Sequence, residues 1–443
     1  MKIVYLAAGA ANMFCGSCLH DNTLAAALLD AGHDVLLVPT YTPIRTDEND
    51  VSLQRVFFGG INVYLQQKSA LFRHTPWILD ALLDRPSLIR FAMQHGPGVD
   101  AAKLGDLTVS MLQGEAGHQK KEIDKLILWL RDEARPELVH LSNAMLIGMA
   151  REIRALGVPV VCSLSGEDVF LEKLPEPYYS QARKNLRERA AELDAFTALN
   201  GYYADYMAEY LSIPRSRIDV IPHGLKLEGH GKRLQRPAPV STGLQELAIG
   251  YLARICPDKG THLLIAAFEL LQADPALPPL KLRIAGYLGA SDHRYFEAIR
   301  ERVAGWPAPE RFEYVGEVTR EQKIAFLQSL EIFSIPTVYP ESKGLPVLEA
   351  WANALPIVLP AHGTFPELSE DTGGALLHAP DDPVELAAAL KKLILDPELR
   401  TTLGQSGQAA VHDRYHAASM AERTASLYRR VLAKQSASPQ VSV

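Results

Sequence analysis

Apolar positions along the chain fall into short compact runs separated by longer amphipathic stretches. Residues 2–7, 34–39, 138–141, 158–163, 195–199 and 219–221 are runs of this kind. Such runs read as strands buried on both faces of a parallel sheet. Between the first two, residues 22–31 carry helical spacing and end at Gly32. Helices fall between several of the later runs. The rhythm then restarts: 247–252 reads as a strand, 261–271 as a helix, and 280–285, 312–315, 332–335 and 356–359 as further strands. Strands alternating with helices predict an α/β chain with parallel sheets.

Two stretches interrupt the rhythm. Residues 43–135 hold an expected hairpin around Gly59 and Gly60, followed by helices. Within them, 70–93 combines Phe72, Trp77, Leu79, Leu82, Leu88, Ile89 and Phe91 with Arg73, Arg85 and Arg90. Pro76 and Pro86 would each open a helix. The segment reads as a helical pair packed on the first domain, with an interfacial surface for a lipid-linked acceptor as the alternative. Residues 229–246 are rich in Gly, Pro, Ser and Thr and read as a linker. The expected organisation is a Rossmann-like domain over 1–228 with a helical insertion at about 43–135, a linker over 229–246, a second Rossmann-like domain over 247–414, a terminal helix over 415–433 and a disordered polar tail over 434–443.

With 443 residues, a hydrophobic fraction of 47% and 22% charged residues, the composition is that of a globular chain able to bury large cores. A net charge of −7 argues against nucleic acid as the partner. No apolar run approaches the ~18 residues of a membrane span, and the N-terminus reads as a core strand rather than a signal peptide. The expectation is a cytoplasmic protein, with peripheral contact at the inner face of a membrane as an alternative.

The chemistry concentrates in the run Glu341, Ser342, Lys343, Gly344, Leu345, Pro346, Val347, Leu348, Glu349 and Ala350, which follows the apolar residues 332–338. Leu348, Ala352 and Leu355 then fit a buried helix face, so the order is strand, loop, helix. Gly344 would let backbone approach a ligand, and Pro346 suits the first helical turn. The N–H groups of Gly344, Leu345 and Val347 would point at an anion such as a diphosphate, aided by the helix dipole. Glu341 and Glu349 would accept hydrogen bonds from diols on either side of it. Arg254, at the end of the second domain's first strand, and Lys259, at the start of the next helix, would neutralise a leaving diphosphate in place of a divalent metal.

These residues resemble glycosyltransferase family 4 of the GT-B fold. The glutamate pair with seven residues between, Glu341 and Glu349, and the Arg-then-Lys-Gly element Arg254, Lys259 and Gly260 carry the resemblance. So do Pro356, Ile357 and Val358 followed by His362, Gly363, Thr364 and Glu367; the element Ile221 to Gly224; and the first helix-to-strand turn around Gly32 and His33. It covers both domains and is weakest over 43–135. The resemblance implies two Rossmann-like domains facing each other across a cleft, with the acceptor in the first and a nucleotide-sugar in the second, and the last helix packed back on the first. It implies a retaining, metal-independent hexosyl transfer to a hydroxyl acceptor on a glycan, a lipid-linked molecule or a small molecule, with no cofactor. Glu349 would hold the ribose, Glu341 the sugar hydroxyls, Arg254 and Lys259 the diphosphate, and Gly16 would bring backbone near that phosphate. The chain departs from the family at Ser165, where a histidine is common, at His223, where asparagine is common, and at Ala354, which replaces a usual glycine.

Other polar residues compete for roles. His140 ends a strand and could approach the acceptor; His20, Asp21 and Asp168 could orient its hydroxyls or serve as packing and capping groups. Cys15 and Cys18 follow a strand and precede a helix, where a redox dithiol would sit, while Cys162 ends another strand of the first domain and Cys256 lies in the first loop of the second. A thiol redox protein, a nucleotide-sugar epimerase of the same fold and a non-catalytic nucleotide-sugar sensor are therefore the rival readings.

Overall fold

In a computed structural model, the structure describes residues 1–9, 16–53, 56–58, 63, 66–67, 104–231 and 246–437. The chain divides into two compact units, Met1–Gly224 with Ala417–Val443, and Leu225–His416. Expectations for Cys15, for the hairpin at Gly59 and Gly60, for 70–93 and for most of 229–246 fall on residues outside those described.

The first unit is built on six strands: β1 (Lys2–Ala7), β2 (Asp34–Pro39), β3 (Leu138–Leu141), β4 (Val160–Leu164), β5 (Ala195–Ala198) and β6 (Ile218–Val220). They pair in the order β2-β1-β3-β4-β5-β6, all parallel. Alternate residues of a strand face opposite sides of a sheet. Val4 and Leu6 of β1 accordingly join one core with Leu126, Leu146, Ile153 and Phe196, while Ile3, Tyr5 and Ala7 join the other with Leu24, Leu28 and Val161. The terminal helix Ala417–Ala437 closes this second core with Met420, Ala421, Leu427, Tyr428 and Val431. That helix extends past the sequence expectation, since Lys434 to Ala437 are helical rather than tail.

The second unit repeats the plan with β7 (Leu247–Leu252), β8 (Leu280–Ala285), β9 (Phe312–Gly316), β10 (Ile332–Ser334), β11 (Ile357–Pro360) and β12 (Ala375–His378). Its order is β12-β11-β10-β7-β8-β9, again parallel throughout. In both sheets the order reverses beside the unit's first strand, and the crevice outside the carboxyl ends at such a point is where open α/β sheets take ligands. The loops that leave β1 and β3, and those that leave β7 and β10, therefore frame these crevices.

The first helix runs over Gly16–Asp30, six residues earlier than its apolar spacing suggests. The polar run His20, Asp21, Asn22 and Thr23 hid it, because these residues are buried and hydrogen-bonded rather than exposed. Tyr5 donates to Asp21 at 2.8 Å, and Asn22 donates to the carbonyl of Asn49 at 3.0 Å.

Among the described residues no helix is long and apolar enough to cross a membrane.

Candidate functional site

The second unit gathers the charged residues of the sequence motif. After β7 the chain passes Arg254, which is exposed, and makes a short 3-10 turn over Pro257–Lys259. Partial desolvation pulls the Arg254 pKa down, and interactions with Cys256, Asp292 and Asp258 outweigh it and raise the pKa. Gly260 follows at φ 71° and leads into the helix Thr261–Gln272. A Cβ at Gly260 would lie 1.7 Å from the carbonyl oxygen of Pro336. The turn carrying Lys259 thus rests directly on the backbone of the loop that leaves β10. Val338 reinforces the contact, its N–H donating to the carbonyl of Asp258 at 3.0 Å.

This contact brings Lys259 to Glu341. The ammonium lies 2.5 Å from Glu341 Oε2 and 2.7 Å from the hydroxyl of Tyr339, which donates to the same carboxylate oxygen at 3.0 Å. The backbone N–H groups of Ser342 and Lys343 donate to Oε1 at 3.1 and 3.2 Å. Burial alone would push the Glu341 carboxyl up. The charge and hydrogen bond of Lys259, with Tyr339 and Lys343, outweigh it and hold the group at about 2. Glu341 is therefore an ionised, fixed carboxylate at neutral pH. Its backbone is clamped as well: Thr364 N–H donates to its carbonyl at 2.8 Å, and a Cβ at Gly363 (φ 61°) would meet its N and O at 2.5 Å. That explains the glycine in the His362-Gly363-Thr364 loop.

Gly344 precedes the helix Leu345–Ala352, with Pro346 in its first turn as expected. One expectation needs correcting. The N–H of Val347 donates to the carbonyl of Gly344 at 3.0 Å, because the proline starts the helix directly on that residue. The amides of Gly344 and Leu345 are left to lead the helix. One turn further in, Glu349 is 4% exposed and lies 2.5 Å from the ammonium of Lys323, itself 7% exposed. Sequence reasoning missed both Tyr339 and Lys323. Tyr339 sits two residues before the motif on the same loop, so proximity alone could have flagged it. Lys323 lies on a separate helix, and only its place on the otherwise apolar face of Phe326 and Leu327 marks it.

Ala354, the departure from a usual glycine, adopts φ 57° just after that helix. This is the left-handed position where helices favour glycine, so the backbone of the family's turn is kept at the cost of a side chain in an unfavourable region.

In the first unit, the proposed acceptor residues are bound into the fold. His140 is 1% exposed; its Nδ1 contacts the Tyr428 hydroxyl at 2.5 Å and its Nε2 the Ser163 hydroxyl at 2.8 Å, which continues to Thr197 at 2.9 Å. Both ring nitrogens are engaged, so His140 anchors the terminal helix to the sheet instead of facing an acceptor. Burial, with the nearby His20, lowers its pKa from 6.5 to about 3. His20 pairs with His223, Nδ1 to Nδ1 at 2.8 Å. Asp21 takes the Tyr5 hydroxyl, as above, so it too is a packing group. Asp168 accepts from Tyr203 at 2.6 Å at the start of the short helix Asp168–Leu171. It is half-buried and remains beside the Ser165-Gly166-Glu167 loop, where Glu167 accepts from the N–H groups of Ala144 and Ser165. Gly16 is the first residue of the helix Gly16–Asp30. Cys18, Cys162 and Cys256 are buried, and burial pushes the Cys162 thiol well up, away from the reactive thiolate.

A neutral buried histidine makes acid stability a test of this packing. Its folded pKa lies below the unfolded value, so the unfolded chain binds more protons between about pH 6.5 and 3, and stability falls as pH drops through that window. The loss is at most about 1.4 kcal/mol per pH unit. Urea midpoints at pH 7 and pH 5 should separate more for the parent than for His140→Gln. Equal separations would remove His140 as a source of acid sensitivity.

Residues 238–410 match the family of glycosyl transferases group 1, and residues 111–228 match glycosyltransferase family 4. A D-inositol 3-phosphate glycosyltransferase from Nocardia farcinica is 28% identical over 368 residues, covering 78% of this chain and 79% of that protein. Sucrose-phosphate synthase from Thermosynechococcus elongatus has the same fold, with a TM-score of 0.71 at 17% identity over 98% of this chain and 100% of that one. Anabaena Alr3699/HepE, solved in complex with UDP, gives a TM-score of 0.64 at 16% identity over 97% of this chain and 100% of that one.

Proposed function

The chain belongs to glycosyltransferase family 4 and is a glycosyltransferase of the GT-B fold, and from that premise we propose a retaining, metal-independent transfer of a hexosyl group from a nucleotide-diphosphate sugar to a hydroxyl acceptor. The observation that carries the reading is the Lys259–Tyr339–Glu341 cluster beside the helix led by Gly344 and Leu345. An ammonium has three donors. Two engage Tyr339 and Glu341, and the third would meet an oxygen of the diphosphate. Arg254 would supply the second charge, and the leading amides would complete the anion site. The Anabaena protein, which shares the fold, was solved in complex with UDP, and a nucleotide ligand is in keeping with this reading.

In this reading the bond between the sugar's anomeric carbon and the diphosphate oxygen breaks as the acceptor oxygen bonds to the same face. The acceptor's proton passes to the departing diphosphate. Lys259 and Arg254 stabilise the negative charge that develops there, the task a divalent metal performs in other enzymes. Glu341 keeps Lys259 in place and faces the donor sugar's hydroxyls, and Glu349 holds the ribose. The second unit takes the donor. The acceptor belongs to the first, where Asp168 is the remaining candidate to orient it once His140, His20 and Asp21 are committed to packing. No cofactor enters this scheme, and its setting would be the cytoplasm.

The test is a thermal-shift screen against UDP, GDP, ADP, CDP and TDP in EDTA. A diphosphate that binds only the folded state adds about 2.7 kcal/mol at a hundredfold excess over Kd, and roughly 2–4 °C per kcal/mol is expected for a unit of this size. One nucleotide should stabilise the parent and fail to stabilise Glu349→Ala and Lys259→Ala. If none raises the melting temperature at millimolar concentration, the donor site is misassigned. Product anomeric configuration, read by NMR, then decides between retention and inversion.

A further inference from the structure

We propose that Lys323 is a positioning residue for the ribose end of the donor, acting through Glu349. This rests on the reading of Glu349 as the ribose ligand. Lys323 lies on the helix Arg320–Gln328, whose start is fixed by a capping box between Thr319 and Gln322. Its ammonium is inside the unit, 2.5 Å from Glu349 Oε1. A lysine is rarely buried, and an apolar side chain of similar volume would fill the same space at less cost. Stability is therefore a poor reason for a lysine among Phe326 and Leu327. The chemistry of the diol is a better one. A ribose 2′,3′-diol presents two hydroxyl donors, and an ionised carboxylate, acceptor-only at both oxygens, is matched to accept from both. Glu349 is 4% exposed, and a carboxylate buried to that extent calls for a facing cation. Lys323 supplies that cation at 2.5 Å and so orients the carboxylate that the proposal places against the diol.

The turn beneath is held independently. Asn353 Nδ2 donates to the Glu349 carbonyl at 2.8 Å and lies 2.9 Å from His230 Nδ1, and Gln328, on the lysine's own helix, donates to Asn353 Oδ1 at 3.3 Å. The helix bearing Lys323 is thus also tied, by the uncharged Gln328–Asn353 bond, to the residue that caps the helix bearing Glu349. Removing the charge leaves the other link to keep the helices together.

Calorimetry with UDP, GDP, ADP and CDP identifies the tightest nucleotide, which is then compared with its 2′,3′-dideoxy form. The parent should prefer the ribonucleotide by roughly tenfold to a hundredfold, the worth of a hydrogen bond to a charged group. Lys323→Met should reduce that preference to about threefold or less, almost wholly by weakening the ribonucleotide. Lys323→Arg should restore most of it. Residues acting as a unit are not additive, so Lys323→Met with Glu349→Gln should lose no more than either alone. Lys323→Gln, which keeps a donor without the charge, replaces the methionine variant if that one does not fold. Retention of the parent's preference in Lys323→Met, or an equal loss for both nucleotides, overturns the proposal. A parent that does not distinguish the two sugars overturns the reading of Glu349 instead, and a parent that binds no diphosphate overturns the donor site.

Discussion

Lys259→Ala is expected to lower turnover about a thousandfold at saturating donor, the upper range for losing one preorganised electrostatic group. Two losses combine. The first is the cation that meets charge on the departing diphosphate. The second is the anchor of Glu341, which is left as a buried carboxylate without its nearest positive partner. Lys259→Arg should recover only part of the rate, because the planar guanidinium cannot place one donor on Tyr339, one on Glu341 and one on phosphate from the same point. The acid limb of stability should change too. In the parent, Glu341 has a folded pKa of about 2 against an ordinary 4.5, so its pairing stabilises the fold above pH 4.5 and that contribution is lost as pH falls toward 2. Without Lys259, burial dominates and this acid-sensitive contribution should vanish. Steady-state kinetics give the first result and urea midpoints between pH 6 and 3 the second. A variant with kcat within tenfold of the parent would place Lys259 outside the chemistry.

How much of this could be read beforehand depended on where the deciding partner lay. Of the second sheet's strands, β7, β10 and β11 stood out as near-continuous apolar runs, and β8 by the alternation of Leu280, Leu282 and Ile284 with Lys281 and Arg283; β12 did not stand out, since Ala375 to His378 is short and Leu377 is exposed at the sheet's edge. Glu341 and Lys259 were legible because chemistry restricts what a diphosphate can touch. Their link through Tyr339 was less so, since a tyrosine next to a motif carries no charge signal. His140 shows the opposite case. A histidine at the carboxyl end of a parallel strand sits where functional groups cluster, and nothing nearby in sequence tells against it. What settles its role is Tyr428, 288 residues later on the terminal helix, whose hydroxyl occupies one ring nitrogen. The buried run from His20 to Thr23 misled for a related reason: polar residues at a helix start read as solvated, and their partners Tyr5, Asn49 and His223 come from other elements.

The loops around the donor site are held by close backbone approach, and Gly260→Ala should expose how much depends on it. At φ 71° an alanine carries left-handed strain of about 1–2 kcal/mol. Its Cβ would also sit 1.7 Å from the Pro336 carbonyl oxygen, well inside any real contact, and the obstacle is backbone rather than a side chain that could swing aside. Overpacking adds about 1–3 kcal/mol more. The turn and the β10 loop must therefore separate, which moves Lys259 away from Tyr339 and Glu341. The melting temperature should fall by on the order of 10 °C, and the nucleotide-induced rise should disappear. Gly316→Ala supplies the control, since Gly316 has φ 87° with nothing within 4 Å of the added carbon. It carries the strain without the collision. If Gly260→Ala unfolds no earlier than Gly316→Ala and still responds to nucleotide, the two loops do not depend on their contact to build the site. If only Gly260→Ala loses the response, that backbone contact is what places the lysine.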